Sequence, residues 1–293
     1  MSKLKIFCFG YGQVAERFLN KLIQEKKDFD FNITSRQKTH QLLFENKLKI
    51  NSYKFEDNNF DDSLINKLED SNYILISIPP INGLDIVLKN FESSLKKVKN
   101  CKWITYLSAT SVYGDHKGNW VTEESKVLPS STNGVYRLNA ENQWKDFSYK
   151  NNLPLQIFRL AGIYSEDQNI LRRLKMGKVQ IVDKKNHFFS RIHVEDIASV
   201  LLKSLKSFKD KETYNICDDM PASQKDVAIY GSKLLGLTEP EYIKLEEVES
   251  EMLRNFYKDS KKVDNKKMKT FFNYTLKYPT YVEGLDHILN DIS

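Results

Sequence analysis

The chain opens with an apolar run followed by apolar positions at helical spacing. The run extends from Leu4 to Phe9 and ends at Gly10-Tyr11-Gly12. From Val14 onward, apolar side chains recur at positions 14, 15, 18, 19 and 22, which form one face of an α-helix. The pattern predicts a buried strand, a glycine turn and an amphipathic helix.

The same two patterns alternate through the first half of the chain. Short apolar or alternating runs predict strands at 29–34, 48–53, 73–78 and 103–107. Helices are predicted between them at 37–45, 63–68 and 84–98. Because parallel neighbours need a crossover between them, this alternation predicts an α/β fold with a doubly wound parallel sheet.

The second half of the chain predicts a smaller lobe. A strand is expected at 214–217, and Ser223 to Asp226 has the pattern of a capping box that opens a helix ending at Leu235. Further helices are predicted at 169–176, 194–205, 246–257, 265–272 and 281–292. We therefore expect a dinucleotide-binding Rossmann domain at 1–165 and an α+β lobe at 166–293, with 191–217 returning to pack on the sheet.

The glycine turn has the pattern G-x-G-x-x-A, which suits a dinucleotide. Gly10 permits a tight turn, Gly12 lets backbone N–H groups approach a pyrophosphate, and Ala15 lets helix and strand pack closely. The phosphates would lie at the positive end of the helix, beside Gln13 and Val14. The alternative is an ordinary strand-to-helix turn that binds no ligand.

Thr34-Ser35-Arg36 ends the second predicted strand, where a dinucleotide fold meets the adenosine ribose. A carboxylate there would bind the 2′-hydroxyl of NAD, whereas an arginine accommodates the 2′-phosphate of NADP. This stretch holds hydroxyls and a guanidinium, so it favours NADP over NAD. Ser35 could equally cap the next helix, with Arg36 on the surface, and both interpretations can hold together.

Pro79-Pro80 ends the fourth predicted strand and opens a loop, since proline cannot continue the hydrogen-bond ladder. In a parallel sheet this edge is where ligands bind, so Pro79 is a predicted cofactor contact.

Composition narrows the classes of protein that remain. The chain has 293 residues, is 40% hydrophobic and 29% charged, and carries a net charge of +6. The lysines are scattered among acidic residues with no basic stripe, so we expect no nucleic acid partner. Cys8, Cys101 and Cys217 lie far apart without metal spacing, which predicts buried thiols in a reducing compartment and no metal site. No leader sequence and no membrane span is predicted, so we expect a cytoplasmic protein.

Six further stretches, taken with the glycine turn, resemble the extended short-chain dehydrogenase/reductase family, which includes nucleotide-sugar epimerases and dehydratases. They lie in the family's order at 107–125, 133–143, 158–164, 191–198, 214–219 and 278–285. Both the short glycine pattern and Y-P-x-Y-x-x-G-L at 278–285 resemble an atypical branch of that family.

The resemblance implies hydride transfer to or from the nicotinamide of NAD(P). In the family a tyrosine is the general acid/base, a lysine four residues later lowers the tyrosine pKa and holds the ribose, and a serine or threonine binds the reacting oxygen. The implied function is an NADP(H)-binding reductase or epimerase acting on a small molecule, such as a nucleotide-sugar or another anion. A non-catalytic NADP(H)-binding redox sensor or regulatory protein is the alternative, and a homodimer stays open.

The catalytic positions depart from the family. The serine position before V-Y-G holds Ala109. The better helix register puts Asn133 at the tyrosine position and Arg137 at the lysine position. A rival register keeps Tyr136 as the tyrosine but places Ala140 where lysine is required. The Tyr–Lys pair is broken in both registers.

Several neighbouring residues could substitute for the missing set. Tyr136 and Arg137 are the catalytic candidates, although Tyr136 could be only a helix-face aromatic and Arg137 a ribose or phosphate contact. Ser108 is a candidate cofactor contact that could instead be a strand end. Arg172-Arg173 could face an anionic substrate, but a solvated helix face is the preferred interpretation.

Overall fold

The computed structural model describes residues 3–43, 48–182, 184–249, 254 and 257–292. The chain folds into two compact units, each assembled from three segments. The first unit contains Met1–Ser108, Tyr136–Phe158 and Ala198–Thr213, and the second contains Ala109–Val135, Arg159–Ile197 and Tyr214–Ser293. The units interleave along the chain. The division at 165/166, with 191–217 returning to the sheet, stays a prediction.

Strands and helices alternate through most of the described residues. The strands are β1 (Leu4–Phe9), β2 (Phe29–Ser35), β3 (His40–Leu43), β4 (Lys49–Glu56), β5 (Asn59–Phe60), β6 (Tyr73–Ile76), β7 (Trp103–Ala109), β8 (Trp120–Val121), β9 (Gln156–Leu160), β10 (Gly162–Tyr164), β11 (Ile181–Val182), β12 (Arg191–His193), β13 (Glu212–Ile216), β14 (Tyr242–Ile243) and β15 (Lys262–Val263). The helices are α1 (Gln13–Gln24), α2 (Ser63–Glu69), α3 (Ile86–Leu95), α4 (Thr132–Asn151), α5 (Ile170–Lys175), α6 (Val194–Ser204), α7 (Gln224–Leu234), α8 (Lys266–Phe271) and α9 (Tyr281–Ile292).

The main sheet has the strand order β13-β9-β7-β6-β1-β2-β4-β3 within the described residues, and β5 pairs with β4. β1 is parallel to both β2 and β6, β2 is parallel to β4, and β6 is parallel to β7. The order reverses beside β1, so the carboxyl end of β1 is the switch point where open α/β sheets bind ligands. The predicted α/β Rossmann fold is confirmed.

The core of the first unit follows the two-residue period of its strands. Alternate side chains of β1, β6 and β7 face the same buried layer, into which α3 and α4 also pack their apolar faces. This layer includes Phe7, Phe9, Ile74, Ile76, Ile104, Tyr106, Phe91, Leu95, Trp144 and Phe147. Burial of this layer fixes the register of β1, and so the position of the glycine turn that follows it.

The second unit packs short parallel strand pairs against helices. β10 pairs with β12, β11 with β14, and β15 with β8. An apolar cluster of this unit joins α5, α7 and α9 and includes Leu171, Leu174, Val227, Leu285 and Ile288. The predicted capping box is confirmed, because Ser223 Oγ accepts from the Asp226 N–H and the Asp226 carboxylate accepts from the Ser223 N–H.

One predicted helix is wrong. The described part of 37–45 contains β3, which is antiparallel to β4 with His40 opposite Ser52 and Leu43 opposite Lys49. The apolar residues that suggested a helix face are used instead to extend the sheet. Half of the predicted helix at 246–257 lies outside the described residues, and Leu245–Glu247 forms a single 3₁₀ turn. Within the described ranges, no helix combines the length and the apolar character that a membrane crossing requires.

Candidate functional site

Gly10 makes the turn after β1 in a conformation that only glycine adopts easily. Its φ is +93°, and an added Cβ would lie 2.6 Å from Cγ2 of Ile78. The Gly10 N–H donates to Oγ1 of Thr34 at 2.9 Å, and Thr34 is almost completely buried. The glycine turn is therefore tied to the end of β2.

Gly12 differs from Gly10 because it borders open space. Its backbone is extended, with φ of −94°, and an added Cβ would meet nothing within 4 Å. Gly12 is the N-cap of α1, and no side chain caps this end of the helix. The first turn of α1 therefore borders open space at the positive end of the helix. This cradle fits the pyrophosphate of a dinucleotide.

The three residues at the end of β2 differ in exposure: Thr34 is buried, whereas Ser35 and Arg36 are at least partly exposed. Thr34 holds the glycine turn, whereas Ser35 Oγ accepts from the hydroxyl of Ser52 at 3.0 Å. Arg36 follows in an exposed position. The stretch 34–36 thus presents a hydroxyl and a guanidinium, with no carboxylate among its three side chains.

A tight hairpin follows β6 and the exposed Pro79. Ile81 and Leu84 exchange two backbone hydrogen bonds of 3.0 Å, and both residues between them, Asn82 and Gly83, have positive φ. These features are typical of a type I′ turn. Gln143 of α4 clamps the hairpin, because its Nε2 donates to Gly83 O at 3.0 Å and its Oε1 accepts from the Asp85 N–H at 3.1 Å.

The two catalytic candidates face different neighbours. Tyr136 is half-buried against the hairpin, since an added Cβ on Gly83 would lie 3.2 Å from its ring. Arg137 Nη1 donates to Leu107 O at 2.8 Å and lies 3.5 Å from the hydroxyl of Tyr106. Burial raises the pKa of Tyr106, and Arg137 opposes that shift. Arg137 is therefore bound to the end of β7.

Ser108 forms a buried tie between β7 and α4. Its hydroxyl donates to Oε1 of Glu141 at 2.6 Å, and Glu141 is fully buried. Lys145 lies 3.5 Å from the other oxygen of this carboxylate. The hydroxyl of Ser108 is thus already engaged in holding α4 on the sheet.

In the second unit, the turn after β7 meets the first turn of α4. Gly134 lies so close to Ser111 that an added Cβ would be 2.6 Å from Ser111 O. Ala109 and the exposed Asn133, which the sequence analysis assigns in its better register to the serine and tyrosine positions, stand in these two adjoining turns. Neither side chain can exchange a proton with a substrate.

A cavity of about 480 Å³ lies within the second unit. It is lined by apolar side chains of β10, α5, α7 and α9, and by three arginines. Arg172 and Arg173 are exposed, whereas Arg191 is buried and donates to Phe189 O, Ala222 O and Gln224 Oε1 at 3.0–3.1 Å. The cavity therefore combines an apolar wall with positive charge.

Two observations limit the chemistry of the site. Within the described residues, no cluster of three or more His, Cys, Asp or Glu side chains is arranged to hold a metal ion. His193 is fully buried, its Nδ1 accepts from the Glu195 N–H, and its ring centroid lies 4.2 Å from that of Tyr278. These contacts indicate a packing role for His193.

All the predicted cofactor and catalytic residues lie in the first unit, at the carboxyl edge of the sheet or on α4. The structure brings Gly10 and Thr34 into direct contact, while Tyr136 and Arg137 contact different elements.

Two features are absent from the sequence prediction. The hairpin has a signal in its Asn82-Gly83 dipeptide, but the Gln143 clamp joins residues 58 and 60 positions apart and has none.

A mostly parallel sheet with an open glycine turn at its switch point is the architecture of a Rossmann-fold protein. Residues 87–217 match the model of the NAD dependent epimerase/dehydratase family. A functionally unknown conserved protein from Silicibacter pomeroyi is 32% identical, with a TM-score of 0.84 over 98% of this chain and 99% of that chain. The chain belongs to the NAD dependent epimerase/dehydratase family, within the extended short-chain dehydrogenases/reductases.

More distant structures share the fold. UDP-glucuronic acid 4-epimerase from Bacillus cereus, solved with NAD, is 16% identical, with a TM-score of 0.76 over 98% of this chain and 99% of that chain. dTDP-glucose 4,6-dehydratase from Bacillus anthracis, also solved with NAD, is 19% identical, with a TM-score of 0.80 over 97% of this chain and 95% of that chain. A search of curated proteins found no match.

Proposed function

We propose that this protein is an NADP(H)-binding oxidoreductase or epimerase that acts on an anionic small molecule without the tyrosine-based acid–base set of its family. The observation that carries the proposal is the open cradle at Gly12, where the uncapped first turn of α1 borders empty space. The class of reaction is inferred from the family, and the cradle supports the inference that this chain still binds the dinucleotide.

Each part of the cofactor has residues that would hold it. The N–H groups of Gln13 and Val14 would bind the pyrophosphate, and Ser35 and Arg36 would bind a 2′-phosphate. The bound nicotinamide supplies hydride acceptance and donation. Two related structures were solved with NAD, so the choice of NADP rests on the side chains of this chain at the end of β2.

The acid–base set is the part that departs from the family. Ala109 offers no hydrogen bond to a reacting oxygen, and the Asn133 amide can orient a carbonyl but has no titratable proton. Arg137 can replace the family's lysine as a cation, but a guanidinium cannot serve as a base. Tyr136 keeps a phenol on α4 that packs on the hairpin.

The cavity of the second unit supports an anionic substrate. Its volume of about 480 Å³ suits a small molecule, and Arg172 and Arg173 place positive charge at its wall. Asp167 lies 3.1 Å from Arg172, which leaves Arg173 as the less compensated cation of the two. A related protein, MoeE5, was solved in complex with UDP-glucuronic acid and NAD, so nucleotide-sugars are the first substrates to test.

The experiment measures NADPH and NADH binding by calorimetry, then NADPH consumption with nucleotide-sugars, aldehydes and ketones. We expect NADPH to bind, and we expect Tyr136→Phe to turn over as the unmutated protein does. Tyr149→Phe is the matched control, because Tyr149 lies on the same helix and is 76% exposed. Fast turnover that is abolished only by Tyr136→Phe would identify an ordinary tyrosine-dependent dehydrogenase. Failure of both cofactors to bind would remove the proposal.

A further inference from the structure

Arg191 is a buried cation at the wall of the cavity in the second unit. It is 8% exposed and borders the cavity together with Gln224 and Tyr281. Its guanidinium lies over the ring of Phe189, with Cζ 5.3 Å from the ring centroid. Gly162 leaves room for that ring, since an added Cβ would lie 2.6 Å from Cε1 of Phe189. One face of the guanidinium is thus covered, and its N–H edges are left to make contacts.

The hydrogen bonds of Arg191 go to neutral acceptors. Nη1 donates to Phe189 O and Ala222 O at 3.0 Å, and Nη2 donates to Oε1 of Gln224 at 3.1 Å. A guanidinium has five N–H groups, so two of them have no hydrogen-bond partner among the described residues. A buried arginine is normally paired with an anion, and its unused donors indicate where an anion can bind.

Asp218 is the carboxylate that acts most strongly on Arg191, but it does not hydrogen-bond to the guanidinium. One of its oxygens accepts from the Met220 N–H at 3.2 Å, and the other is buried without a partner in the described part of the chain. Burial lowers the pKa of Arg191, and Asp218 opposes that shift. Because arginine keeps its charge at every working pH, the cation is balanced only through space and can still attract an anion.

Gln224 and Tyr281 add hydrogen-bond donors beside Arg191. Arg191 uses the amide oxygen of Gln224, so the amide NH₂ group remains for a ligand. The Tyr281 hydroxyl makes no hydrogen bond to the described residues, and Arg191 acts on it electrostatically. Donors from three side chains suit a group that only accepts hydrogen bonds, and a carboxylate is such a group.

The rest of the cavity wall indicates what is attached to that carboxylate. The wall is mostly apolar and includes Ile163, Ile170, Met176, Val227 and Leu285. Apolar walls with a few fixed polar groups are typical of sites for small molecules. The wall therefore suits an apolar body that extends away from the charged group.

The charges at the wall favour a ligand with a single negative charge. Arg172 is exposed, and Asp167, which also borders the cavity, lies 3.1 Å from it and offsets its charge. Arg173 is exposed to solvent, which leaves Arg191 as the buried cation of the described wall. One buried cation matches a monocarboxylate better than a doubly charged pyrophosphate.

We propose that the cavity of the second unit binds a monocarboxylate with an apolar body, and that Arg191, Gln224 and Tyr281 bind its carboxylate. The proposal rests on the proposed function, because it names the class of anionic small molecule on which the protein acts. All three residues lie in the second unit and border the same cavity.

A purely structural role for Arg191 makes a different prediction. Phe189 and Ala222 exchange two backbone hydrogen bonds of 3.2 and 3.1 Å, and Arg191 binds the carbonyl of each. Gln224→Glu separates the two roles. A glutamate still accepts from Arg191, so the tie is kept, but it replaces the NH₂ group with a negatively charged oxygen that repels a carboxylate.

The first measurement is calorimetry on the full chain with four probes: phenylacetate, its neutral counterpart phenylacetamide, phenyl phosphate and UDP-glucose. We expect phenylacetate to bind about ten- to hundredfold more tightly than phenylacetamide, the effect of hydrogen bonds to a charged group. Absence of phenylacetate binding, or equal affinity for the acid and the amide, would overturn the proposal. Tighter binding of phenyl phosphate or UDP-glucose would overturn the choice of a monocarboxylate.

The second measurement compares variants. Gln224→Glu should lower the affinity for phenylacetate by about tenfold or more, with a Tm equal to or above that of the unmutated protein. Tyr281→Phe, which keeps the buried ring, should weaken binding by about tenfold. Gln180→Glu is the matched control, because Gln180 is exposed in the same unit and does not border the cavity. Unchanged phenylacetate affinity in Gln224→Glu would overturn the assignment of the three residues.

NADPH binding is measured on the same samples, and it separates this proposal from the proposed function. Gln224→Glu should bind NADPH as the unmutated protein does. NADPH binding without phenylacetate binding would overturn the carboxylate site alone. Phenylacetate binding without NADPH binding would refute the proposed function and would still support the carboxylate site.

Discussion

The hydroxyl of Tyr164 lies over the Cα of Gly284, in the second turn of α9. A Cβ on Gly284 would overlap Tyr164 Oη and lie 2.7 Å from Cζ of the same ring. Tyr164 also lines the cavity of the second unit, and its hydroxyl is 3.4 Å from Thr280 O. The glycine of Y-P-x-Y-x-x-G-L is therefore explained by the space that this tyrosine needs.

Gly284→Ala should destabilise the protein, although the same change in an open helix interior would stabilise it by about 0.5–1 kcal/mol. The added methyl displaces a buried ring, and such overpacking costs about 1–3 kcal/mol. Thermal unfolding should show a lower Tm for Gly284→Ala. Gly12→Ala is the control, because its methyl meets no neighbour and should leave Tm nearly unchanged. A Tm that rises in Gly284→Ala would show that Tyr164 moves aside freely.

Thr280 and Glu283 are hydrogen-bonded at the start of α9, in the same motif, and these bonds predict a pH dependence. The Thr280 N–H donates to Glu283 Oε2 at 3.0 Å and its hydroxyl donates to the same oxygen. These bonds, led by the hydroxyl, lower the pKa of Glu283 below 4.5. A lowered pKa means that the ionised carboxylate stabilises the fold at neutral pH, and that this contribution is lost as pH falls through the folded-state pKa.

Glu283→Gln should therefore melt below the unmutated protein at pH 7, and the difference should shrink as the pH is lowered below 4.5. Melting curves collected from pH 7 to pH 3 test this expectation. Glu124→Gln, at an exposed position, controls for the general loss of a negative charge. A difference in Tm that stays constant over this range would argue against a stabilising role for these hydrogen bonds.

The two glycines of the turn should respond differently to alanine. Gly10→Ala forces a side chain into a conformation with φ of +93° and against Ile78, so it should destabilise the protein by about 1–3 kcal/mol. Gly12→Ala should fold normally but place a methyl group where a pyrophosphate would lie. Its NADPH affinity should fall about tenfold, the effect of losing one hydrogen bond to a charged group. Calorimetry and thermal melts on both variants separate the effects, and normal NADPH binding by Gly12→Ala would contradict the cradle.

Arg36 should set the preference between the two cofactors. A charge-assisted hydrogen bond to a 2′-phosphate is worth about 1.5–3 kcal/mol, which corresponds to a roughly ten- to hundredfold preference for NADP over NAD. Arg36→Ala should remove most of this preference in calorimetric titrations. Lys38→Ala is the matched control, since it removes an exposed positive charge two residues further on. Equal affinities for NADP and NAD in the unmutated protein would show that this chain does not select by the 2′-phosphate.

The first strand, the glycine turn and α1 could be predicted because their signals are local. Gly10 is a glycine because its φ is positive, and the spacing of Val14, Phe18 and Leu22 is that of any amphipathic helix. The predicted helix at 37–45 failed for the opposite reason. Leu42 and Leu43 form a short apolar run that is compatible with a helix or a strand. Antiparallel pairing with β4, a tertiary contact, makes this segment a strand.

The candidate site could be predicted only where its functional residues are close together in the sequence. The Thr34-Ser35-Arg36 stretch and the glycine turn each occupy a few consecutive positions. The bond from Ser108 to Glu141 spans 33 positions, and that from Gln143 to Gly83 spans 60. No periodicity or motif marks such pairs, because the tertiary fold alone brings them together.

The interleaving of the two units has a consequence for synthesis on the ribosome. The sheet order places β7 beside β9, with β13 beyond β9, so β7 is an open edge while those strands are still untranslated. The first unit cannot close until Ala198–Thr213 has been made, long after Ser108. At about 5–20 residues per second, synthesis from the end of β7 to the end of β9 takes roughly 3–10 s, and the edge of β7 is exposed for that time. An unpaired edge of a mostly apolar strand is a site for misassociation, so the order of synthesis leaves β7 open to wrong pairing until β9 has been made.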